Sequence, residues 1–186
     1  MKQKLAIFDL DGTLFNTEKV NYLSYRQALA QKGYSLDYDF YTQECNGKYY
    51  KDYLPLLIPN PSEELMEEIH DLKKRIYPDN LGSATENEHL FSLIDLIKLE
   101  YYVALVTTAS RKNSTDILEF FEKKEIFELI LTHNDVNKVK PDPEGFLKAM
   151  NHFNMLPSQT IIFEDSDAGI EAAIKSGANV LTVAQF

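Results

Sequence analysis

The sequence predicts an α/β protein, a Rossmann-like parallel sheet flanked by helices with an α-helical unit inserted into it. Three observations carry this. Short apolar runs recur at residues 5–8, 103–106, 129–131, 160–163 and 180–183, and their lengths suit buried strands. Helical segments separate the later runs, at 110–124, 143–153 and 167–176, and such alternation builds βαβ units. Polar residues follow directly on several of the runs, where open α/β sheets place their ligand crevices.

Taken in order, residues 5–8 form strand 1, and Asp9 and Asp11 stand where it ends. Two adjacent acids are costly there unless a cation or a reaction uses them. Residues 16–32 read as a helix closed by Gly33, and residues 38–47 and 48–57 as two short helices. Ser62 opens a helix over 62–77, whose expected buried stripe is Leu65, Ile69, Leu72 and Ile76, the 3–4 spacing of one helix face. Residues 81–88 return the chain to the sheet, and 89–99 form a further helix. The implied division is a core of residues 1–15 and 82–186 with a helical cap at 16–81. Within the core, Asp142 is placed to cap the helix at 143–153, with Pro143 at its first position. Asp167 is placed to cap the last helix, which Gly177 ends.

The chain has 186 residues, of which 44% are hydrophobic and 26% charged, with 11 Phe and 11 Tyr. That composition is globular rather than disordered. A net charge of −10 argues against nucleic acid or an anionic membrane as partner. It leaves room for an anionic substrate, because a bound divalent cation reverses the local field. Cys45 is the only cysteine, so no intrachain disulfide forms, which suits a reducing compartment. The first apolar run stops at Asp9, too short for a signal peptide or a membrane span. The expected location is the cytoplasm; oligomeric state is not legible.

Four groups of polar residues meet at one sheet edge in this topology: Asp9 and Asp11, Thr107 and Thr108, Lys140, and Glu164 with Asp165. Adjacent hard oxygen ligands suit Mg²⁺. A lysine beside hydroxyls and backbone N–H groups suits a phosphoryl group, and a nearby carboxylate is a nucleophile of the aspartyl-phosphate type. These residues point to Mg²⁺-dependent phosphoryl transfer. Each alone has a plainer reading. A bare Asp-X-Asp is a polar loop, and an isolated lysine is solvated. Arg111 suits a surface ion pair as well as it suits a substrate. The four histidines show no metal-ligand spacing, and Cys45 reads as buried filler.

Together, Asp9-Leu10-Asp11-Gly12-Thr13, Thr107, Lys140-Pro141-Asp142-Pro143 and Glu164-Asp165-Ser166-Asp167-Ala168-Gly169 resemble the haloacid dehalogenase superfamily. The closest likeness is to the subgroup with a small helical cap that includes β-phosphoglucomutases and phosphoglycolate phosphatases. The resemblance implies a role for each residue. Asp9 is the nucleophile and a Mg²⁺ ligand. Asp11 is the general acid/base, with its carbonyl on the metal. Thr107, with Thr108 beside it, binds phosphoryl oxygens. Lys140 neutralises charge on Asp9 and phosphate. Asp165 ligates the metal directly, and Glu164 directly or through water. Gly12 and Thr13 bring backbone N–H groups to the phosphate. Cap hinges are implied near 15–17 and 81–85, and specificity from the cap around Thr17, Asn21, Tyr22 and the segment 46–50 that holds Gly47.

The implied activity is a Mg²⁺-dependent phosphatase of a small phosphorylated metabolite. The alternatives are a β-phosphoglucomutase-like sugar phosphate mutase and a non-catalytic phosphate- or metal-binding protein. Asn21 and Tyr50 stand where the mutases carry a histidine and a phosphate-gripping arginine, which disfavours the first; Lys48 and Lys51 are the ready substitutes. The intact acids and Lys140 disfavour the second. Asn16 replaces the aspartate common at its position and retains N-cap ability.

Overall fold

The computed structural model describes residues 2–184; Met1, Gln185 and Phe186, the limits of the expected core, lie outside them. The chain divides into two compact units, Met1–Asn16 with Thr85–Phe186, and Thr17–Ala84. The sequence reading had set the divisions at 15/16 and 81/82.

The first unit is built on a five-stranded sheet. Its strands are β1 (Lys4–Phe8), β4 (Tyr101–Val106), β5 (Leu129–Leu131), β6 (Thr160–Glu164) and β7 (Asn179–Thr182), while β2 (Phe15–Asn16) and β3 (Thr85–Glu86) form a separate antiparallel pair. The large sheet has the order β5-β4-β1-β6-β7, and every neighbouring pair is parallel. Phe8 is in register with Leu105 on one side and Phe163 on the other. The C-terminal ends of β1, β4 and β6 therefore share one edge. β1 is buried from Leu5 through Phe8, as expected of a central strand covered on both faces. The Phe8 and Phe163 rings stack at 4.4 Å. Both tyrosines at 101 and 102 lie inside β4, two residues before the expected start, and Tyr102 stacks on Phe153 at 4.5 Å.

The second unit contains α1 (Glu18–Ala30), α2 (Tyr38–Phe40), a π-helical turn Tyr41–Cys45, α3 (Tyr50–Leu57), α4 (Glu63–Ile76) and a 3₁₀ segment Tyr77–Ser83. Ser62 caps α4, its hydroxyl accepting from the Leu65 N–H at 3.1 Å. The stripe buried on α4 is Met66, Ile69, Lys73 and Ile76, with Leu65 and Leu72 half-buried at its flanks. The expected face is thus rotated by one position. Lys73 joins it by laying its chain along apolar neighbours, its ammonium 4.6 Å from the Tyr77 ring centre and 5.4 Å from that of Tyr25. The N-cap of α1 is Thr17, not Asn16, because Asn16 is taken into β2.

The sheet helices are α5 (Glu88–Ile97), α6 (Arg111–Phe120), α7 (Glu144–Phe153) and α8 (Asp167–Ser176). α6 stops four residues before the expected 124, because Glu122 adopts a left-handed φ of 56° and the Lys123 N–H turns back to the Leu118 carbonyl at 2.8 Å. This is the reversed hydrogen bonding that ends many helices. The cap of α8 is Ser166, whose hydroxyl accepts from the Gly169 N–H at 3.1 Å; Asp167 is the first helical residue. Pro143 occupies the N-cap position of α7, and Asp142 still accepts from the Glu144 N–H at 3.0 Å. Gly177 ends α8 at φ 79°. Among the described residues, no helix is long and apolar enough to cross a membrane.

Candidate active site

At the shared strand edge, β1 delivers Asp9, β4 delivers Thr107 and β6 delivers Glu164 and Asp165. Lys140 comes from the loop between β5 and α7. Its ammonium is the centre of the arrangement. Nζ donates to Asp9 Oδ1 at 2.6 Å, to the Val106 carbonyl at 3.0 Å and to Glu164 Oε1. Three acceptors match the three protons of a lysine. The partners lie 131, 34 and 24 residues away in sequence. The side chains of Lys140 and Asp9 are 8% and 10% exposed, and that of Glu164 is fully buried. The Lys140–Pro141 peptide is cis.

Asp9, Glu164 and Asp165 each place an oxygen within 4.8 Å of the others. One lysine faces three acids, and the excess of negative charge is felt in their protonation. Burial lifts Asp9 well above the ordinary carboxylate range, Lys140 opposes that, and Glu164 and Asp11 add to it. Asp165 is also raised, by burial and then by Glu164, against the hydrogen bond from Thr13. Burial works against the charge of Lys140, but Asp9 and Glu164 outweigh it and hold the amine above its ordinary range. The ammonium therefore stays charged and leaves a surplus of negative charge, which is the condition a divalent cation relieves.

Glu164 is held by both oxygens. Oε1 takes Lys140, while Oε2 accepts from the Asp165 N–H (3.0 Å), the Ser166 N–H (3.1 Å) and the Ser166 hydroxyl (3.1 Å). It sits over Gly169, where a Cβ would stand 1.9 Å from Oε1. Ser166 and Gly169 therefore shape the site, and neither had been assigned a role from sequence. The Ser-x-x-Gly spacing after the two acids was the available signal.

The turn after β1 is arranged differently from expectation. The Gly12 N–H donates to the Phe15 carbonyl at 2.8 Å and so is not offered to a phosphate. Glycine is required there for two other reasons. Its φ is +90°, and a Cβ would stand 2.1 Å from Asp165 Oδ2; a side chain would be both strained and in collision. Thr13 is fully buried and its hydroxyl donates to Asp165 Oδ1 at 2.8 Å. The Thr13 carbonyl is held in turn by the buried Asn87 side chain at 3.2 Å. Asp11 is half-buried in this turn, bridged to Phe15.

Thr107 is buried, its hydroxyl accepting from the Ala109 N–H at 3.0 Å, and Thr108 is exposed beside it. Arg111 forms an ion pair with Asp135. Thr17 and Gly47 belong to the helical unit. Thr17 is buried at the start of α1 and accepts from the Asn21 side chain, while Gly47 is exposed in a turn at φ +74°.

The sequence that supplies these residues matches the family model of haloacid dehalogenase-like hydrolases over residues 6–183. The chain belongs to this family. As a haloacid dehalogenase-like hydrolase it is 28% identical over 178 residues to a protein of Thermotoga maritima named phosphorylated carbohydrates phosphatase, covering 92% of this chain and 81% of that one. It is 30% identical over 178 residues to the validoxylamine A 7′-phosphate phosphatase of Streptomyces hygroscopicus subsp. limoneus, covering 94% and 82%. The structure of CbbY from Rhodobacter sphaeroides in complex with phosphate superposes with a TM-score of 0.86 at 23% identity, over 99% of this chain and 87% of that one. The last comparison speaks for the haloacid dehalogenase fold.

Proposed function

We propose that this chain is a Mg²⁺-dependent phosphomonoester hydrolase of small phosphorylated metabolites, acting from the cytoplasm through a phosphoaspartate on Asp9. The observation that carries the reading is the buried Lys140 ammonium between Asp9 and Glu164, beside an acid group whose negative charge exceeds it. The remaining oxygens of Asp9 and Asp165, with the Asp11 carbonyl, are the ligands that would hold Mg²⁺, which when bound supplies charge neutralisation to the phosphoryl oxygens. Glu164 acts on the metal through water, or by placing Lys140 and Asp165.

The Asp9 carboxylate attacks phosphorus and the ester P–O bond breaks. Asp11 gives a proton to the departing alkoxide. Asp11 then takes a proton from water, whose oxygen attacks the phosphoaspartate phosphorus, releasing inorganic phosphate and restoring Asp9. Lys140 holds its proton throughout and steadies the charge on Asp9 and the phosphoryl group. Thr107, Thr108 and the Thr13 backbone bind phosphoryl oxygens, while the helical unit, through Thr17 and Gly47, selects the rest of the substrate. Phosphoryl transfer needs positioning and charge neutralisation above all.

The name of the Thermotoga relative puts phosphorylated carbohydrates first in a substrate panel, with validoxylamine A 7′-phosphate, named for the Streptomyces relative, beside them. A mutase needs a grip on a second phosphate. Lys48 is paired with Glu44, Lys51 with Glu63 and Glu67, and Tyr50 is stacked on His70 at 4.0 Å, which favours hydrolysis. The deciding experiment is release of phosphate from p-nitrophenyl phosphate with and without Mg²⁺. Asp9→Asn is expected to lower kcat roughly 10³- to 10⁶-fold. Substantial Mg²⁺-dependent turnover by that variant would refute the nucleophile assignment. Formation of glucose 6-phosphate from its 1-phosphate isomer would favour the mutase.

A further inference from the structure

Lys140 has no regular element beneath it; it projects from the loop of residues 136–143. Its second half is held by Lys175, which donates to the Pro141 carbonyl at 3.2 Å, and its first half by Glu144. Glu144, the first residue of α7, turns its carboxylate back along the chain. One oxygen accepts from the Asn137 N–H at 2.9 Å and the other from the Lys138 N–H at 2.9 Å. Lys148, one helical turn on, pairs with Glu144 at 2.7 Å and donates to the Asp135 carbonyl at 2.8 Å. Asp135 is itself fastened to the end of β5 through the Thr132 N–H and hydroxyl, both at 2.8 Å. A continuous polar chain thus runs from β5 through Asp135, Lys148 and Glu144 to the backbone two residues before Lys140.

We propose that Glu144 is the positioning residue for Lys140: by clamping the Asn137 and Lys138 amides it closes the loop and fixes where the lysine stem leaves it. The proposal rests on the phosphatase reading only for its effect on turnover. A carboxylate that accepts two backbone N–H bonds is a rigid anchor, and a loop shift of an ångström at Lys140 would part its ammonium from three acceptors at once. Glu144 touches none of the acids. Its effect passes wholly through the backbone it holds.

The test compares the wild type with the isosteric Glu144→Gln, which replaces one acceptor by an N–H donor, and with Glu144→Ala. Asp95→Asn is the control; it breaks an exposed i,i+3 pair with Lys98 at the end of α5, outside the polar chain that holds the 136–143 loop. Lysine labelling by trinitrobenzenesulfonate in Mg²⁺ buffer, mapped by mass spectrometry, reads the position of Lys140, with the exposed Lys112 as internal reference. Wild type and Asp95→Asn are expected to keep Lys140 protected, and Glu144→Gln to label it about tenfold faster while remaining folded by circular dichroism. For p-nitrophenyl phosphate, kcat of Glu144→Gln is expected to fall roughly 10- to 100-fold with KM little changed. Equal protection of Lys140 in folded Glu144→Gln and wild type overturns the proposal. So does equal exposure in Glu144→Gln and the Asp95→Asn control. Should Glu144→Ala not fold, Glu144→Gln alone decides. A wild type without phosphatase activity would refute the proposed function and leave the labelling result to judge the clamp.

Discussion

The strand edge of the α/β unit and the interior of the helical unit both bury polar side chains, and they do so in opposite ways. At the strand edge the buried groups are formal charges: Asp9, Glu164 and Lys140 meet from three distant parts of the chain, and the acids outnumber the lysine. In the helical unit the buried polar groups are neutral apart from Lys73: the hydroxyls of Tyr25, Tyr41, Tyr53, Tyr77, Thr17 and Ser24 and the Asn80 amide. Tyr25 bonds its hydroxyl to His70 Nδ1 at 2.7 Å and packs edge-on to Tyr53, and burial pushes the hydroxyls of Tyr25 and Tyr53 far up, holding them neutral. Several of the unit's lysines, such as Lys32, Lys48 and Lys51, form ion pairs on its surface, where such pairs add little stability. A fold does not concentrate unbalanced charge in its interior for stability. The strand edge is therefore under chemical constraint and the helical interior under packing constraint.

This contrast can be broken at its most crowded point. Gly169→Ala would drive a methyl into the Glu164 carboxylate and part it from Lys140, costing about 3 kcal/mol of stability. It should also lower kcat for p-nitrophenyl phosphate roughly 100-fold. Thermal melts and kinetics on the same preparation check both, and a variant that melts and turns over like wild type would show that the carboxylate has no need of that space. Ile69→Ala sharpens the comparison from the other side. It empties a fully buried site in the helical core and should cost about 2–4 kcal/mol in denaturant unfolding. Its kcat for this small ester, measured well below the melting point, should stay within about threefold of wild type. A larger loss would mean that packing in the helical unit and chemistry at the strand edge are not separable.

The smallest effect is a pH dependence confined to the Lys140 loop. Lys148, with the Asn137 and Lys138 amides, pulls Glu144 down to about 2 from its ordinary 4.5. A carboxylate lowered by folding contributes stability that is fully present above the unfolded value and is lost as pH falls through the folded one. The stability gap between wild type and Glu144→Gln should therefore be constant above about pH 5 and shrink steadily from pH 4.5 toward pH 2. A gap independent of pH in that window would remove the charge of Glu144 from the account.

The sequence by itself determined the fold class, the strand edge and most of the charged residues that meet there. Apolar runs that stop abruptly at Asp9, Thr107 and Glu164 announce strand ends, and parallel topology then obliges those ends to meet. It also announced the caps at Ser62 and Gly177, because these depend on a residue's own turn. Tertiary structure decided what depends on distant atoms. Gly12 is a glycine because of Asp165, and Thr13 is there because Asp165 needs a donor; neither partner is near in sequence. The buried stripe of α4 was misplaced by one position for the same reason, since a lysine belongs inside only where Tyr25 and Tyr77 present their ring faces. A pattern of residue types carries periodicity and local hydrogen bonding, whereas close approach and charge balance exist only once the chain has brought separate segments together.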